Sequence, residues 1–176
     1  MHREFLCPRS VPESSIQREI EDRRVKSPAV RIVYWLNRLR WRLTRPLTVG
    51  VRLLAIRNAQ VLLVQHTYTQ GWYLPGGGVQ KGESLDDAMR REVTEEIGAT
   101  LHDLRLFGVY SNFFEYKNDH IVVFVCQNFI LSGDNDHEIA QWDVFPVTSL
   151  PAETSPGTRR RIAEFMSQKT GIVEQW

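Results

Sequence analysis

Residues 71–99 read GWYLPGGGVQKGESLDDAMRREVTEEIGA: a glycine loop, then a helix, then a crowd of carboxylates. Ser84 is a side-chain cap for the helix start, Asp86 and Asp87 suit its first turn, and Gly98 supplies its stop. The spacing predicts a helix over 84–97 with Leu85, Met89, Val93 and Ile97 as one apolar stripe. Ala88, Glu92, Glu95 and Glu96 fall beside that stripe on a different face. Glu92 neighbours both Glu95 and Glu96 on the helix surface, and each like-charged pair costs about 0.2–0.5 kcal/mol. Glu95 and Glu96 also sit near the negative end of the helix dipole. Helix propensity therefore does not account for the cluster. One reading is a solvated acidic face partly neutralised by Arg90 and Arg91; the other is a site for a hard divalent cation, Mg²⁺ or Mn²⁺, which takes oxygen ligands. The run Gly76, Gly77, Gly78 favours the second, because glycines let backbone carbonyls and amides approach a cation or substrate phosphates.

From Gly77 the chain fits G-x5-E-x7-R-E-U-x-E-E-x-G-U, with Gly77, Glu83, Arg91, Glu92, Val93, Glu95, Glu96 and Gly98 in place. It resembles the Nudix box, and departs from it only at Ala99, where a bulky aliphatic is usual. The flanks from about residue 46 to 171 look like the same family. The resemblance implies an α+β fold, an α/β/α sandwich with a mixed β-sheet, here carrying an N-terminal helical extension. It implies hydrolysis of a nucleoside diphosphate linked to another group, by attack of water on phosphorus. Dinucleoside polyphosphates, nucleoside triphosphates and nucleotide sugars are the candidate substrate classes. Glu92 and Glu96 would be the principal metal ligands, Glu95 a third or water-mediated one, and the Gly76 carbonyl part of the shell. Divalent cations bridging phosphates neutralise the leaving group and make water a better nucleophile. Arg91 would hold a glutamate by a bidentate ion pair, with Glu83 as its partner or as an outer metal ligand.

The general base moves among positions in this family. The candidates are Glu96, Glu95 and Glu138, the last in the loop DNDHEIAQW; Asp134 and Asp136 read as solvated loop acids. Gly77 and Gly78 are expected against the substrate phosphates. Tyr116 lies where dinucleoside polyphosphate hydrolases carry a base-stacking tyrosine, and Phe113 and Phe114 share the segment as core or base platform. Arg52 is carried as a substrate-binding residue; His66, Trp72 and His120 are further candidates, with packing or surface placement as the ordinary account of each.

The whole chain has 176 residues, 42% of them apolar and 24% charged, which suits one globular domain with an appendage. The formal net charge of +1 conceals a split: positions 23–81 hold 11 of the 22 basic residues and no acid. Such a split suggests an anionic partner for the front of the chain and a cation for the back. Cys7 and Cys126 are too few for a disulfide framework, and Cys126 in IVVFVC reads as a buried thiol. No apolar run reaches the roughly 18 residues of a membrane span, and a cytoplasmic protein is the expectation.

Residues 1–45 form the expected extension, with the enzyme domain over 46–176. Within the extension, PAVRIVYWLNRLRWRLTR at 28–45 has Ile32, Trp35, Leu36, Leu39 and Leu43 at helical spacing amid arginines. Such a helix packs on its own domain or on a second copy in a homodimer, or lies on an anionic membrane surface or on RNA. Further on, PLTVGVRLLAI and QVLLVQHTY read as a hairpin. LRLFGVYSNFFEY and HIVVFVCQNFIL read as two long strands joined at KND, and IAQWDVFPV as another. SPGTRRRIAEFMSQKTG reads as a closing helix running to Gly171. Two functions stand beside the metal-dependent pyrophosphohydrolase: a catalytically silent nucleotide-binding module, and an RNA- or membrane-associating protein working through the basic helix.

Overall fold

The structure is a computed structural model and describes residues 47–113, 118–132 and 139–176. The basic segment 28–45, Tyr116 and Glu138 lie outside the described residues. The chain divides into two units, Met1–Arg40 and Trp41–Trp176, and all described residues belong to the second. Among the described residues no helix is long and apolar enough to cross a membrane.

Strands β1 (Leu47–Arg57) and β2 (Gln60–His66) form the expected hairpin. Asn58 and Ala59 turn it with φ of 54° and 58°, the left-handed pair that matches strand twist. Only Ile56 with Val61 and Arg57 with Gln60 pair directly, and beyond them the glycine loop enters. Tyr73 exchanges backbone hydrogen bonds with Val64 of β2. On the β1 side, Leu53 N–H donates to the Pro75 carbonyl and Val51 N–H to the Gly77 carbonyl, both at 2.9 Å. The loop is thus stitched into the sheet between two strands, which fixes its position far better than a surface turn would.

The remaining strands are β3 (Ala99–Leu101), β4 (Arg105–Asn112), β5 (Asn118–Cys126), β6 (Phe129–Leu131), β7 (Ile139–Pro146) and β8 (Ile172–Gln175). Six of them make one mixed sheet in the order β7-β2-β1-β5-β4-β8, with β1 parallel to β5 and β4 parallel to β8. Alternation along β1 feeds both faces. Val51, Leu53 and Ala55 pack with Ala88, Met89, Val93 and Ile97 of helix α1 (Leu85–Ile97). Leu54 and Ile56 pack with Ile162 of helix α2 (Pro156–Met166) on the other face. The expected α/β/α sandwich is therefore present, with one helix on each face.

Three details differ from the sequence reading. On α1, Leu85 is 39% exposed while Ala88 and Glu96 are buried. Residues four apart drift about 40° per step at 3.6 residues per turn, so the stripe through Ile97, Val93 and Met89 has rotated away by Leu85. Next, HIVVFVCQNFIL is not one strand: β5 ends at Cys126 and β6 pairs with β3 in a separate two-stranded sheet. Asp103 makes the break, its Oδ1 accepting from Cys126 Sγ, Gln127 N and Asn128 N at 3.0, 3.1 and 2.9 Å. Burial and the Asp103 carboxylate push the Cys126 thiol up, so it stays a protonated donor, the buried free thiol expected. Finally, α2 stops at Met166 instead of running to Gly171. Gln168 and Gly171, at φ of 57° and 62°, turn the chain so that Ile172–Gln175 can pair with β4.

Helix α2 is fixed by a buried charge. Arg161 is 1% exposed, its Nη2 donates to Glu164 Oε1 at 2.7 Å, and its guanidinium lies 3.7 Å from the Tyr110 ring centroid. Tyr110 hydroxyl donates to the other Glu164 oxygen at 2.9 Å. Burial and that hydrogen bond push the phenol pKa well above its usual value.

Candidate active site

Helix α1 starts where the sequence says it should. Ser84 Oγ accepts from Asp87 N–H at 3.1 Å, and Gly98 closes the helix at φ of 60° with its N–H directed to Thr94 and Val93 carbonyls. These caps leave the carboxylates of the last two turns facing the glycine loop.

Two glycines there are required by close approach. Gly76 is buried at φ of 131°, and a Cβ on it would run into the Val51 carbonyl. Its N–H donates to Glu96 Oε2 at 2.7 Å, a buried bond. A Cβ on Gly77 would occupy the place of the Glu92 carboxylate. Loop and helix therefore interlock: one glycine holds Glu96 through its amide, and the next makes room for Glu92. Gly77→Ala is expected to leave the sheet intact and displace the Glu92 carboxylate, lowering activity by about 10²-fold, as misplacement of a site group by about 1 Å does. Steady-state kinetics beside a circular dichroism melt will check both halves of that statement.

Arg91 organises the acids. Its Nε and Nη2 bond the two Glu83 oxygens at 2.7 and 3.0 Å, the bidentate pair expected. Beyond that expectation, Nη1 reaches Glu92 Oε1 at 2.8 Å and Glu95 Oε2 at 3.0 Å, while Nη2 also donates to the Gly78 carbonyl at 3.1 Å. One guanidinium thus ties three carboxylates to the loop backbone. The Arg91 hydrogen bonds hold the Glu83 carboxyl below its usual range, helped by the Gln80 N–H at 3.0 Å. A carboxyl lowered on folding contributes stability that is fully present above its ordinary value of 4.5 and is lost as pH falls through the lower folded value. Glu83→Gln is accordingly expected to flatten the loss of stability below pH 4.5, read as urea midpoints across that range.

Glu92 and Glu83 are largely covered, with 15% of each side chain exposed, whereas Glu95 is 53% exposed. Among the described residues no three acidic, histidine or cysteine side chains converge as a ready-made metal cluster. Glu83, Glu92 and Glu95 fan around Arg91, while Glu96 accepts the Gly76 N–H. The donor set still fits a hard cation: Glu92 and Glu96 lie one helical turn apart beside loop backbone, and all their ligand atoms are oxygen.

The other candidates separate cleanly. Arg52 lies beside the loop, its Nη1 donating to the Val51 carbonyl at 2.8 Å and to the Gly77 carbonyl at 3.4 Å. Gly78 is exposed. Trp72 packs edge-on against Phe145 at 4.7 Å, and His120 Nδ1 lies 3.2 Å from Ser111 Oγ. Phe113 is 63% exposed. Reading the sequence missed that Glu96 is buried; its place between Val93 and Ile97 was the available signal.

The sequence matches the NUDIX domain family over residues 46–165. An uncharacterized Nudix hydrolase, YvcI, of Bacillus subtilis is 32% identical over 123 residues, which is 65% of this chain and 75% of that protein. The RNA pyrophosphohydrolase of Erwinia tasmaniensis is 36% identical over 61 residues, and the match spans only 35% of each chain. Among solved structures, the MutT Nudix hydrolase from Burkholderia pseudomallei superposes with a TM-score of 0.60 at 22% identity, covering 67% of this chain and 97% of that one. At that identity it speaks for the fold alone. A domain match over most of the chain, the box with its caps in place, and loop and helix interlocked at Gly76 and Gly77 lead to one conclusion: the chain belongs to the Nudix hydrolase family.

Proposed function

We propose that the chain hydrolyses the pyrophosphate bond of a nucleoside diphosphate linked to another group, with Glu92 and Glu96 holding Mg²⁺ or Mn²⁺. The observation that carries this reading is the pair of glycine contacts, because they fix two carboxylates beside backbone amides in a way that like-charge repulsion opposes. When bound, the cation supplies neutralisation of the charge that builds on the departing phosphate. The chain does the rest. The Gly76 amide orients Glu96, Arg91 steadies Glu92 and Glu95, and exposed Gly78 presents backbone to a phosphate. Water attacks phosphorus, the bridging phosphorus–oxygen bond breaks, and the proton passes to a carboxylate. Glu95 and Glu96 are the described candidates for that base, and Glu138 remains the third.

The test is turnover against dinucleoside polyphosphates, nucleoside triphosphates and nucleotide sugars, with 5′-triphosphorylated RNA added on account of the RNA pyrophosphohydrolase relative. Hydrolysis of one class, with Mg²⁺ or Mn²⁺ raising Tm and Glu92→Gln weakening that rise, supports the reading. Intact substrate throughout the panel overturns it and favours a silent binding module.

A further inference from the structure

The glycine loop lies against β1 as a half-made antiparallel ladder, and one side chain supplies a missing donor. Val51 N–H donates to the Gly77 carbonyl and Val79 N–H to the Val49 carbonyl, each at 2.9 Å, with Gly50 facing Gly78 between them. A hydrogen-bonded antiparallel pair ordinarily exchanges two bonds. Among the described residues the return bond, from Gly77 N–H to the Val51 carbonyl, is not made. That carbonyl accepts Arg52 Nη1 instead, at 2.8 Å, and the same nitrogen lies 3.4 Å from the Gly77 carbonyl. Val51 is buried, and a buried carbonyl without a donor is costly, so the guanidinium fills a place that the loop has vacated. Val51 and Leu53, on either side of Arg52, pack with α1. Alternation therefore starts the Arg52 side chain on the sheet face away from the α1 carboxylates, and its tip comes round to the loop backbone.

What the loop gains is a peptide group outside the ladder. Gly76 has φ of 131°, its N–H donates to Glu96 Oε2, and among the described residues its carbonyl accepts no hydrogen bond. On the other side of that peptide, Gly77 abuts the Glu92 carboxylate. The Gly76–Gly77 peptide thus lies between the two carboxylates assigned above to the cation, and a carbonyl oxygen is a ligand that hard cations take. We propose that Arg52 is a positioning residue: by occupying the Val51 carbonyl it keeps this peptide out of the sheet, which leaves the Gly76 carbonyl available to the cation held by Glu92 and Glu96. Arg52 acts through the loop and does not touch substrate. The inference rests on the metal-dependent reading above and deepens it, from the ligands to the residue that sets the loop.

Mn²⁺ titration of the substrate-free protein, followed by the electron paramagnetic resonance of free Mn²⁺, tests this. Arg52→Met removes the donor and is expected to weaken Mn²⁺ binding about tenfold, the lower end of what loss of a residue that orients a metal ligand costs. The metal-free Tm is expected to stay that of the wild type. The sign is diagnostic, because removing a positive charge near a cation would by itself tighten binding. Unchanged or tighter Mn²⁺ binding therefore overturns the proposal. Hydrolysis gives a second readout: the kcat of Arg52→Met is expected to recover as Mn²⁺ is raised to saturation, with an unchanged KM for substrate. A KM that stays raised at saturating Mn²⁺ also overturns the proposal, since it makes Arg52 a substrate contact. If Arg52→Met does not fold, Arg52→Gln, shorter and likewise uncharged, carries the same expectations. Failure of the metal-dependent reading shows separately, as a wild-type protein that binds no Mn²⁺, and it takes this inference with it. Wild-type binding that the variants leave intact sinks the inference alone.

Discussion

Glu96→Gln is expected to lower kcat by roughly 10³-fold, the range over which a positioned proton-transfer group contributes, while the fold stays intact. Glu96 is 9% exposed, and one of its oxygens already accepts the Gly76 N–H. Glutamine keeps an oxygen for that bond, so loop and helix remain locked. What it loses is negative charge and the second oxygen, which is what a hard cation or a migrating proton requires. Steady-state kinetics at saturating Mg²⁺ beside a thermal melt separate the two effects. A kcat within threefold of wild type would move the chemistry to another carboxylate and leave Glu96 as a loop anchor only.

That prediction was half visible in the sequence. The box residues follow from chemistry that dictates spacing, so Glu92 and Glu96 one turn apart, and Ser84 and Gly98 as caps, were legible as local features. Which face of α1 is buried was less so, because a strict spacing of four drifts around the cylinder; it put Leu85 inside and Glu96 outside. The role of Arg91 was legible toward Glu83 but not toward Glu92, Glu95 and the Gly78 carbonyl, since the loop's path is set by its bonds to β1. Partners distant in sequence hid the rest. β8 exists because Gly108–Ser111 offers an edge to Ile172–Gln175, and β5 ends because Asp103 caps the turn after Cys126.

In the run Arg159-Arg160-Arg161 the third arginine is only 1% exposed. Its Nε and Nη1 have no hydrogen-bond partner, so Glu164, with the Tyr110 ring and the Trp176 ring centroid at 5.2 Å, carries the whole compensation. Glu164→Gln is therefore expected to destabilise the fold by about 3–5 kcal/mol, because it strands a buried charge. On a domain of this size that lowers Tm by about 10 °C. Glutamine still accepts the Tyr110 hydroxyl, so the loss is one of charge and not of shape. Adding Arg161→Met removes the stranded charge and is expected to recover most of the stability, since the dominant cost of breaking a buried pair is the uncompensated charge it leaves. Urea unfolding of the wild type, the single and the double variant tests this, and a single variant within 1 kcal/mol of wild type would refute it. The folded fraction of each is expected to keep its kcat. α2 packs on the sheet face opposite α1, so this buried charge belongs to the scaffold and lies across the sheet from the carboxylates on α1.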